Sequence, residues 1–528
     1  MAPTSAVYSA SADTNRKILD NIESQFRLDP DALKQITRQF LQDIRLGLGE
    51  YNHPMAMIPT FVTGVPDGTE TGTFLALDLG GTNLRVCEVR LLGNKNFSLR
   101  QQKYRVSETL KTGEATALFD YLADSVDSFL TEFTGGDSPT EMSFTEEQPS
   151  ASLIPPQTAI PLGLTFSFPV EQTALNQGKI LTWTKGFSAK NAVGHDVVRL
   201  LQDAFDRKHL HVKCVALVND TVGALLSRAY TTGGCVLGSI FGTGTNGAYV
   251  EKVHNITKLG DSPARAKGGD MIVNTEWGAF NNTRTALPST PYDNKLDRES
   301  INPRLQAFEK FISGMYLGEI TRNVLLSLID AAPRPLLFNG KSSDVLNAHY
   351  GLDTAVMSEV EEAWETGRPS KGAAPTANGA VFSEHFIDID ALSAEDVARL
   401  ERIRGIVSQR LSLSPADVSL RDAAIVRWAS FLVADRAAKL SGCAIAALLA
   451  QTGRAELSSD FVPEEERIPV GVDGSLIQFY PNFNAHLRES LRSLVGEEVE
   501  RRVEIGMARD GSGVGAALCA LQAIKQDL

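Results

Sequence analysis

The feature that most constrains this chain is a pattern of strand, glycine turn and strand that occurs twice. Two β-rich runs at 74–79 and 84–92 are joined by Gly80-Gly81-Thr82-Asn83, and two more at 236–241 and 247–253 are joined by Gly242-Thr243-Gly244-Thr245-Asn246. Glycine accepts the positive φ that a tight turn requires, so each unit is predicted to be a hairpin. No long-range sequence period accompanies the pattern. We therefore expect two related halves that face one shared ligand.

The length of the chain also favours two lobes. The chain has 528 residues, whereas a single hydrophobic core stops growing at roughly 250–300 residues. Helical periodicities at 305–329, 394–411 and 421–453 add bulk to the later half, so that lobe should be the larger one. Asp29-Pro30 is a typical helix start and opens a further amphipathic helix to about Gly47. The predicted class is α/β with two lobes.

Charge and cysteine usage exclude several classes of protein. A net charge of −13 repels nucleic acid and anionic membranes, and no run of 18 apolar residues is present, so neither partner is expected. The cysteines lie singly in apolar runs, which predicts buried, reduced thiols and a cytoplasmic protein. They are Cys87, Cys214, Cys235, Cys443 and Cys519.

The glycine turns are candidate phosphate sites. Asp78 precedes the first turn, and two further glycine turns lie at 471–475 and 510–515, the latter opening a helix. Backbone N–H groups in such turns and at helix N-termini attract anions. None of the turns has the spacing of a P-loop or of a dinucleotide fingerprint. No His or Cys cluster predicts a transition metal, so the expected metal is Mg²⁺ that arrives with a nucleotide.

Asp220 is the candidate general base. It follows the apolar run 215–218 and precedes a helix, a position where a carboxylate can equally be a helix N-cap. Lys185, Glu276 and Glu309 are ambiguous in the same way, because single charged residues are usually solvated. Position alone therefore leaves both interpretations open.

Several longer motifs together resemble one family, the hexokinases, over residues 18 to 525. The motifs are 74–83 (FLALDLGGTN), 162–169 (LGLTFSFP), 182–187 (TWTKGF), 218–223 (VNDTVG), 242–246 (GTGTN), 274–280 (NTEWGAF) and 308–319 (FEKFISGMYLGE). The single-copy fungal hexokinases and glucokinases are the most similar branch. The resemblance implies a two-lobed actin-like ATPase fold of the ribonuclease H-like type, with duplicated halves around an inter-lobe cleft. It also implies phosphorylation of a hexose such as glucose at its 6-hydroxyl, the first step of glycolysis.

The resemblance assigns a role to each matching residue. It implies that Asp220 is the catalytic base, assisted by Lys185. The implied sugar-binding residues are Ser167, Phe168, Thr184, Lys185, Asn219, Asp220, Asn246, Glu276, Gln306 and Glu309. The implied ATP-binding residues are Asp78, Gly80, Gly81, Thr82, Asn83, Gly242, Thr243, Gly244, Gly474, Ser475 and Ser512, with Asp78 holding Mg²⁺ through water and no direct protein–metal bond.

The resemblance also implies lobe boundaries. We expect a flexible tail at 1–15, an N-terminal helix of the large lobe at 16–70, the small lobe at 71–219, the large lobe at 220–510 and a C-terminal helix at 511–528 that returns to the small lobe. The lobes should meet near 66–72, 219–222 and 510–512. Segments rich in Ser, Pro, Glu or Gly at 135–158 and 367–380 are predicted to be mobile surface loops.

Two departures from the family pattern affect this interpretation. The family has Asn-Pro-Gly before the Phe-Glu-Lys helix, whereas this chain has Arg304 after Asn302-Pro303, which puts the path of the loop and the sugar contact of Gln306 in doubt. The acid that often follows Phe280 is replaced by Asn281-Asn282. Two other functions remain open: a catalytically weak hexokinase-like sugar sensor, and an actin-like or chaperone-type ATPase. Hexose preference and oligomeric state, monomer or homodimer, also stay open.

Overall fold

The two repeated hairpins lie in two separate β-sheets of the computed structural model, which describes residues 5–80, 83–134, 159–183, 186–366, 392–457 and 466–526. The predicted surface loops at 135–158 and 367–380 lie outside the described residues. The strands are β1 (Ile58–Pro59), β2 (Thr71–Leu79), β3 (Asn83–Leu92), β4 (Phe97–Arg105), β5 (Ile160–Phe166), β6 (Val170–Ala174), β7 (Gln177–Ile180), β8 (Val212–Val218), β9 (Leu237–Phe241), β10 (Thr245–Lys252), β11 (Asp270–Asn274), β12 (Ile468–Asp473) and β13 (Val503–Met507).

The two sheets repeat one strand arrangement. The first has the order β4-β3-β2-β5-β8 and the second the order β1-β11-β10-β9-β12-β13. In the first sheet three antiparallel strands are followed by two strands that pair in parallel, and the second sheet repeats this arrangement with β1 added antiparallel at the edge beside β11. Strands β2, β3, β4, β5 and β8 thus correspond to β9, β10, β11, β12 and β13. The prediction of duplicated halves is confirmed.

Both predicted hairpins are present. Strands β2 and β3 pair antiparallel, and the N–H of Gly80 donates to the carbonyl of Asn83 at 3.2 Å. Strands β9 and β10 pair in the same way, and the N–H of Gly242 donates to the carbonyl of Gly244 at 3.0 Å. Each glycine turn therefore lies at the end of a strand in the middle of its sheet.

Helices surround the two sheets. They are α1 (Ser5–Phe26), α2 (Pro30–Gly49), α3 (Glu108–Thr112), α4 (Ala115–Thr134), α5 (Val197–Arg207), α6 (Asp220–Thr232), α7 (Pro263–Lys267), α8 (Pro291–Glu299), α9 (Ala307–Ile312), α10 (Gly314–Ile329), α11 (Asp344–Asn347), α12 (Thr354–Glu365), α13 (Ala394–Arg410), α14 (Leu420–Gln451), α15 (Ser475–Phe479), α16 (Phe483–Val495), α17 (Glu497–Arg502) and α18 (Gly511–Lys525). The largest, α14, is buried on most sides by α2, α10, α13 and α16.

The two N-terminal helices can be compared with the sequence-based predictions for the start of α2 and for residues 1–15. The Asp29 carboxylate caps α2 by accepting the N–H of Ala32 at 2.8 Å, as the Asp-Pro start predicted. Helix α1 begins at Ser5, inside the segment 1–15 that the sequence predicts to be a flexible tail, and the flexibility of that segment stays a prediction. Alanine and serine tolerate a helix, and the apolar face that starts at Ile18 anchors α1 against the large core, so the helix propagates backward.

The helix predicted at 305–329 is interrupted at Ser313, which has an extended backbone and separates α9 from α10. The N–H of Gly314 donates to the carbonyl of Gly242 at 2.7 Å, and the N–H of Met315 donates to that of Thr243 at 3.2 Å. These donors bind the second glycine turn instead of continuing the helix. Residue periodicity could not predict the break, since it depends on a partner about 70 residues away.

Two helices are exchanged between the halves. Helix α6 follows the last strand of the first sheet but packs on β9, β10 and β12 of the second, whereas α18 follows the second sheet and packs on β2, β5 and β8 of the first. The two helices cross closely at Gly223, where an added Cβ would lie 2.5 Å from the carbonyl oxygen of Gly511. The layers therefore run sheet, helix, helix, sheet, and one apolar cluster joins them. The lobe limits along the chain stay a prediction.

The predicted buried thiols are also present. All five cysteines are buried and free. Burial raises the pKa of Cys214 and Cys443 to about 12, so these thiols stay protonated and act as small apolar side chains. Within the described ranges, no helix combines the length and the apolar character that crossing a bilayer requires.

Candidate active site

Asp220 is the first residue of α6, directly beyond β8. The capping position belongs to its neighbour Asn219, whose Oδ1 accepts the N–H of Thr221 at 2.9 Å and the Thr221 hydroxyl at 2.6 Å. The Asp220 carboxylate adds a second acceptor for the N–H of Thr221, also at 2.9 Å. Because Asn219 already caps the helix, α6 does not depend on Asp220 as its N-cap. The half-buried carboxylate is left at the positive end of the helix dipole, where a negative charge is stabilised.

A chain of amides and a carboxylate extends from Asn219 across the second sheet. Asn246 Nδ2 donates to Asn274 Oδ1 at 2.8 Å and lies 3.5 Å from Asn219 Oδ1. Asn274 Nδ2 in turn donates to Glu276 Oε1 at 2.8 Å. The structure thus brings together three of the predicted sugar-binding residues. Sequence reasoning missed Asn274, although it begins the quoted motif that contains Glu276.

Glu276 has a left-handed backbone with φ of +53°. Such a conformation is strained for a residue with a side chain and persists only where the surroundings enforce it. The next residue, Trp277, is fully buried, and its Nε1 donates to the Thr245 hydroxyl at 2.9 Å. The indole anchor fixes the strained turn and hence the direction of the Glu276 side chain.

Glu309, on α9, contacts the second glycine turn. Its Oε2 accepts the N–H of Thr245 at 3.2 Å, and a Cβ added to Gly244 would lie 2.9 Å from the same oxygen. Gln306 is the N-cap residue of α9, with φ of +53°, and its side-chain oxygen packs closely against Gly278. Both side chains therefore lie between the turn after β9 and the Glu276 turn.

The departure at Arg304 leaves the loop in the shape that glycine would give it. Arg304 has φ of +65°, and its N–H donates to both carboxylate oxygens of Asp297 at 3.1 Å each. The replacement of an acid by Asn281-Asn282 is also accommodated. Asn281 Oδ1 accepts the N–H groups of Ala286 and Leu287 at 2.9 and 3.0 Å.

The second of these asparagines supports α9. Asn282 Oδ1 accepts the N–H of Ala307, the first residue of α9, at 3.0 Å. This bond satisfies a donor that the first turn of a helix leaves without an internal partner. The path of the loop before α9 is therefore defined, whereas the sugar contact of Gln306 stays a prediction.

The glycine turns of the second half pack against one another. A Cβ on Gly242 would lie 3.1 Å from the Cα of Gly474, and Gly474 has φ of +114° with the carbonyl carbon of Phe241 only 2.5 Å from a Cβ position. Side chains at these positions would separate the turns. Ser475 is exposed and starts α15, and Thr243 is exposed beside them. Gly81 and Thr82, predicted for the first turn, lie outside the described residues, between Gly80 and Asn83.

An arginine links the first half to the C-terminal helix. Arg85 Nη2 lies 2.9 Å from Asp78 Oδ2 and also contacts Ser512 Oγ, while Arg85 Nη1 lies 3.6 Å from Asp510 Oδ1. Ser512 Oγ donates to Asp78 Oδ2 at 2.8 Å. Burial opposes the charge, but Asp78 and Asp510 outweigh it and hold the pKa of Arg85 above its ordinary value. Sequence reasoning missed Arg85, which stands two residues beyond the first glycine turn.

Asp473, at the end of β12, is a further residue that sequence reasoning missed. Its Oδ1 accepts the N–H of Gly474 at 2.7 Å. Burial raises the pKa of Asp473, and the negative charges of Asp220 and Asp510 act in the same direction. The sequence signal that could have identified Asp473 is its place at a strand end, inside the glycine turn at 471–475.

Carboxylates from both halves thus lie near one another: Asp78 and Asp510 face Arg85, and Asp473 interacts electrostatically with Arg85, Asp510 and Asp220. Oxygen donors of this kind are the ligands that Mg²⁺ prefers, commonly through water. Because Asp78 is hydrogen-bonded to Ser512 and paired with Arg85, it fits a contact to the ion through water better than direct coordination. The donor set therefore fits a Mg²⁺–nucleotide.

Aromatic packing positions the predicted sugar-binding residues that follow β5 and β7. The buried ring of Phe168 lies 5.0 Å from Trp183 and 4.9 Å from Phe187, so any ligand contact of Phe168 would come from its backbone. Ser167, half-buried, directly precedes it after β5. Thr184 and Lys185 lie outside the described residues. The residues on either side of them are anchored, since Trp183 and Phe187 stack at 5.5 Å and Trp183 Nε1 donates to the carbonyl of Ala189 at 2.9 Å.

Comparison with known proteins defines the class. The fold is that of two-lobed sugar kinases with actin-like architecture: a hexokinase from Schistosoma mansoni solved in complex with glucose matches with a TM-score of 0.76 and 32% identity, over 97% of this chain and 99% of that one. Hexokinase family models match residues 18–230 and then 236–413 and 380–522. The chain belongs to the hexokinase family and is a sugar kinase.

Curated fungal relatives span nearly the whole chain. Glucokinase of Aspergillus niger is 38% identical over 522 residues, covering 96% of this chain and 97% of the relative. Hexokinase-2 of Schizosaccharomyces pombe is 34% identical over 515 residues, covering 97% and 98%. The resemblance derived from the sequence motifs is confirmed.

Proposed function

We propose that this chain transfers the terminal phosphoryl group of ATP to the 6-hydroxyl of glucose, with fructose and mannose as further acceptors to be tested. The observation that carries the proposal is that the N-cap of α6 and the proposed base are two different residues. Asn219 caps the helix, so the adjacent carboxylate of Asp220 is available for proton transfer. Glucose phosphorylation also agrees with the glucokinase and glucose-bound hexokinase to which the chain is similar.

In the proposed reaction, the oxygen of the sugar hydroxyl attacks the γ-phosphorus, and Asp220 accepts the proton of that hydroxyl. The bond between the γ-phosphorus and the oxygen that leaves with ADP breaks. Phosphoryl transfer passes through a loose transition state, so the protein mainly aligns the groups and stabilises charge. Asn219, Asn246, Glu276, Gln306 and Glu309 would hold the remaining hydroxyls.

The glycine turns would hold the phosphates through their N–H groups, together with Lys185 and Arg85. Mg²⁺, when bound with ATP, would neutralise phosphate charge near Asp78. Closure of the cleft on the sugar would exclude water, the competing nucleophile.

The test is Asp220→Asn, assayed by coupled ATP turnover with and without glucose. Asparagine is nearly isosteric and an equally good cap, but it cannot accept the proton. We expect turnover to fall by roughly 10²–10⁴, with the melting temperature and the glucose dissociation constant little changed. Asp29→Asn is the matched control, because Asp29 is an exposed N-cap of α2 remote from these residues, and it should leave turnover unchanged.

The same assay separates the other functions. A D220N protein that phosphorylates glucose at close to the parent rate would refute the mechanism. A parent chain that binds glucose without turnover would be the sugar sensor, and ATP hydrolysis independent of sugar would indicate an ATPase.

A further inference from the structure

Asp297, in the last turn of α8, collects donors from three directions. Its two oxygens each accept the N–H of Arg304 at 3.1 Å, and its Oδ1 lies 2.8 Å from Lys310 Nζ and 2.7 Å from Arg284 Nη2. The side chains of Asp297 and Lys310 are 8% and 3% exposed. A buried carboxylate with this set of partners holds its neighbours in fixed positions.

The backbone of one of these partners, Arg304, is strained and must be stabilised by its surroundings. Arg304 is exposed and has φ of +65°, a conformation that costs free energy for every residue except glycine. A strained backbone of this kind persists only where its surroundings enforce it. The paired hydrogen bonds to Asp297 supply that enforcement, in place of the glycine that would adopt the turn unaided.

The held segment carries two proposed sugar-binding residues. Gln306 follows Arg304 by two positions, and Glu309 directly precedes Lys310, whose Nζ also donates to the carbonyl of Asn302 at 2.7 Å. Asp297 thus fixes the chain on both sides of Gln306 and Glu309. A shift of the turn would displace Gln306 from Gly278 and Glu309 from the N–H of Thr245.

Asp297 keeps its negative charge in this position. Burial acts to raise its pKa, but the hydrogen bonds from Lys310 and from the N–H of Arg304 outweigh it and hold the pKa below its ordinary value. For Lys310, burial lowers the pKa and Asp297 opposes the change. The charged groups that face Asp297 are Lys310 and Arg284, with Glu309 next to Lys310.

We propose that Asp297 is a positioning residue for sugar binding, and that it acts by holding Arg304 in the left-handed conformation that sets Gln306 and Glu309 in place. This inference rests on the proposed assignment of those two side chains to the sugar. The effect of Asp297 passes through its contacts with Arg304 and Lys310, and so through the backbone of the turn.

The central experiment compares Arg304→Pro with Arg304→Ala. Both remove the guanidinium, but only proline removes the N–H that Asp297 binds and forbids positive φ. Because Arg304 is exposed, both proteins should fold. We expect R304P to raise the glucose KM about tenfold, the effect of one misplaced charged hydrogen bond, with kcat changed less than about threefold and the KM for ATP unchanged. R304A should stay within about twofold of the parent in all three constants.

A rescue experiment tests the role of Asp297 itself. Asp297→Asn should raise the glucose KM in the same way, and Arg304→Gly in the D297N background should recover part of the loss, because glycine adopts the turn without being held. Equal effects of R304P and R304A, or no change in glucose KM for R304P, would overturn the proposal.

Glu309→Gln separates the two possible failures. If R304P has no effect while E309Q weakens glucose binding, the sugar assignment stands and the role of Asp297 is refuted. If E309Q also has no effect, the proposed sugar site itself is wrong. R304P answers the question even if D297N does not fold.

Discussion

The first sheet ends in β8 and α6, and the second ends in β13 and α18, so the N-cap residues Asn219 and Asp510 occupy corresponding places, and Asp220 stands one position further along. Each N-cap residue precedes a helix that packs on the opposite sheet. At the first place Asn219 caps the helix and Asp220 is available for chemistry. At the second, Asp510 has φ of +47°, makes no side-chain cap and lies 3.6 Å from Arg85. The two helix starts have thus diverged: one has a capping asparagine next to the proposed base, and the other has an aspartate that faces an arginine.

The glycine turns of the two halves also differ in their partners. Asp78, beside the first turn, is paired with Arg85. The second turn is in contact with Glu309 and accepts backbone donors from Gly314 and Met315. A duplicated scaffold thus supplies the positions, while long-range partners decide the role of each position. We therefore expect substitutions in the two halves to affect the binding of different substrates.

The largest expected effect comes from removing α18, which belongs to the second half by sequence and to the first by packing. Truncation after Ala508 should abolish turnover, because it uncovers the faces of β2, β5 and β8 and removes Ser512 from Asp78. Truncation after Gln526 is the control and should leave activity unchanged. Full activity of the shorter chain in the coupled assay would refute this assignment of α18.

A smaller effect is expected on glucose binding when carboxylates of the second half are removed. Glu276→Ala and Glu309→Ala should each weaken glucose binding about tenfold or more, because charged hydrogen bonds are worth roughly 1.5–3 kcal/mol. Titration calorimetry with glucose measures the dissociation constant directly. The KM for ATP should change far less. Unchanged glucose affinity in both variants would end the assignment of these carboxylates to the sugar.

The complementary change lies in the first half. Arg85→Gln should raise the KM for ATP about tenfold, because it removes a cation from a cluster of carboxylates that must receive phosphates, while glucose affinity stays near the parent value. Arg90→Gln, an exposed position on the same strand, is the matched control. If R85Q impaired glucose binding as much as ATP binding, the proposed separation between the halves would be wrong.

The smallest expected effect is on the pH dependence of stability, and it arises at His486 in the helical part of the second half. Burial opposes the charge of His486, but the carboxylates of Asp435 and Glu489, 3.0 and 3.7 Å from its Nδ1, outweigh burial and raise its pKa from 6.5 to about 9. A raised folded pKa stabilises the protein fully below about pH 6.5, and this stability is lost as the pH rises through about 9. The melting temperature should therefore fall over this interval, and His486→Gln should flatten the slope. An equal slope in parent and variant would contradict this account.

The sequence predicts local features well. Both glycine hairpins, the Asp29 cap and the helical class of the later half follow from patterns a few residues long. The same patterns left Asp220 ambiguous, since neither base nor cap is written in its immediate neighbours alone. The family motifs then favoured the base, and the structure gives the cap to Asn219.

The features that escaped the sequence depend on distant partners. Ser313 interrupts a helix because Gly314 and Met315 bind the second glycine turn. Arg85 was missed because its partners Asp510 and Ser512 lie more than 400 positions away. Arg304 was a source of doubt until Asp297 supplied a reason for its conformation. Periodicity and turn chemistry carry no information on such pairings.

The exchange of α6 and α18 makes the chain equivalent to a domain-swapped dimer whose two subunits have been joined end to end. Each half donates its last helix to the other, so a fragment ending at Thr232 would expose the apolar faces of α6 and of its own uncovered sheet. Two fragments divided between Thr232 and Leu237 should therefore be insoluble alone and associate when produced together. The exchanged pair also ties the two sheets together through one shared apolar cluster, so neither half can unfold without uncovering a helix of the other.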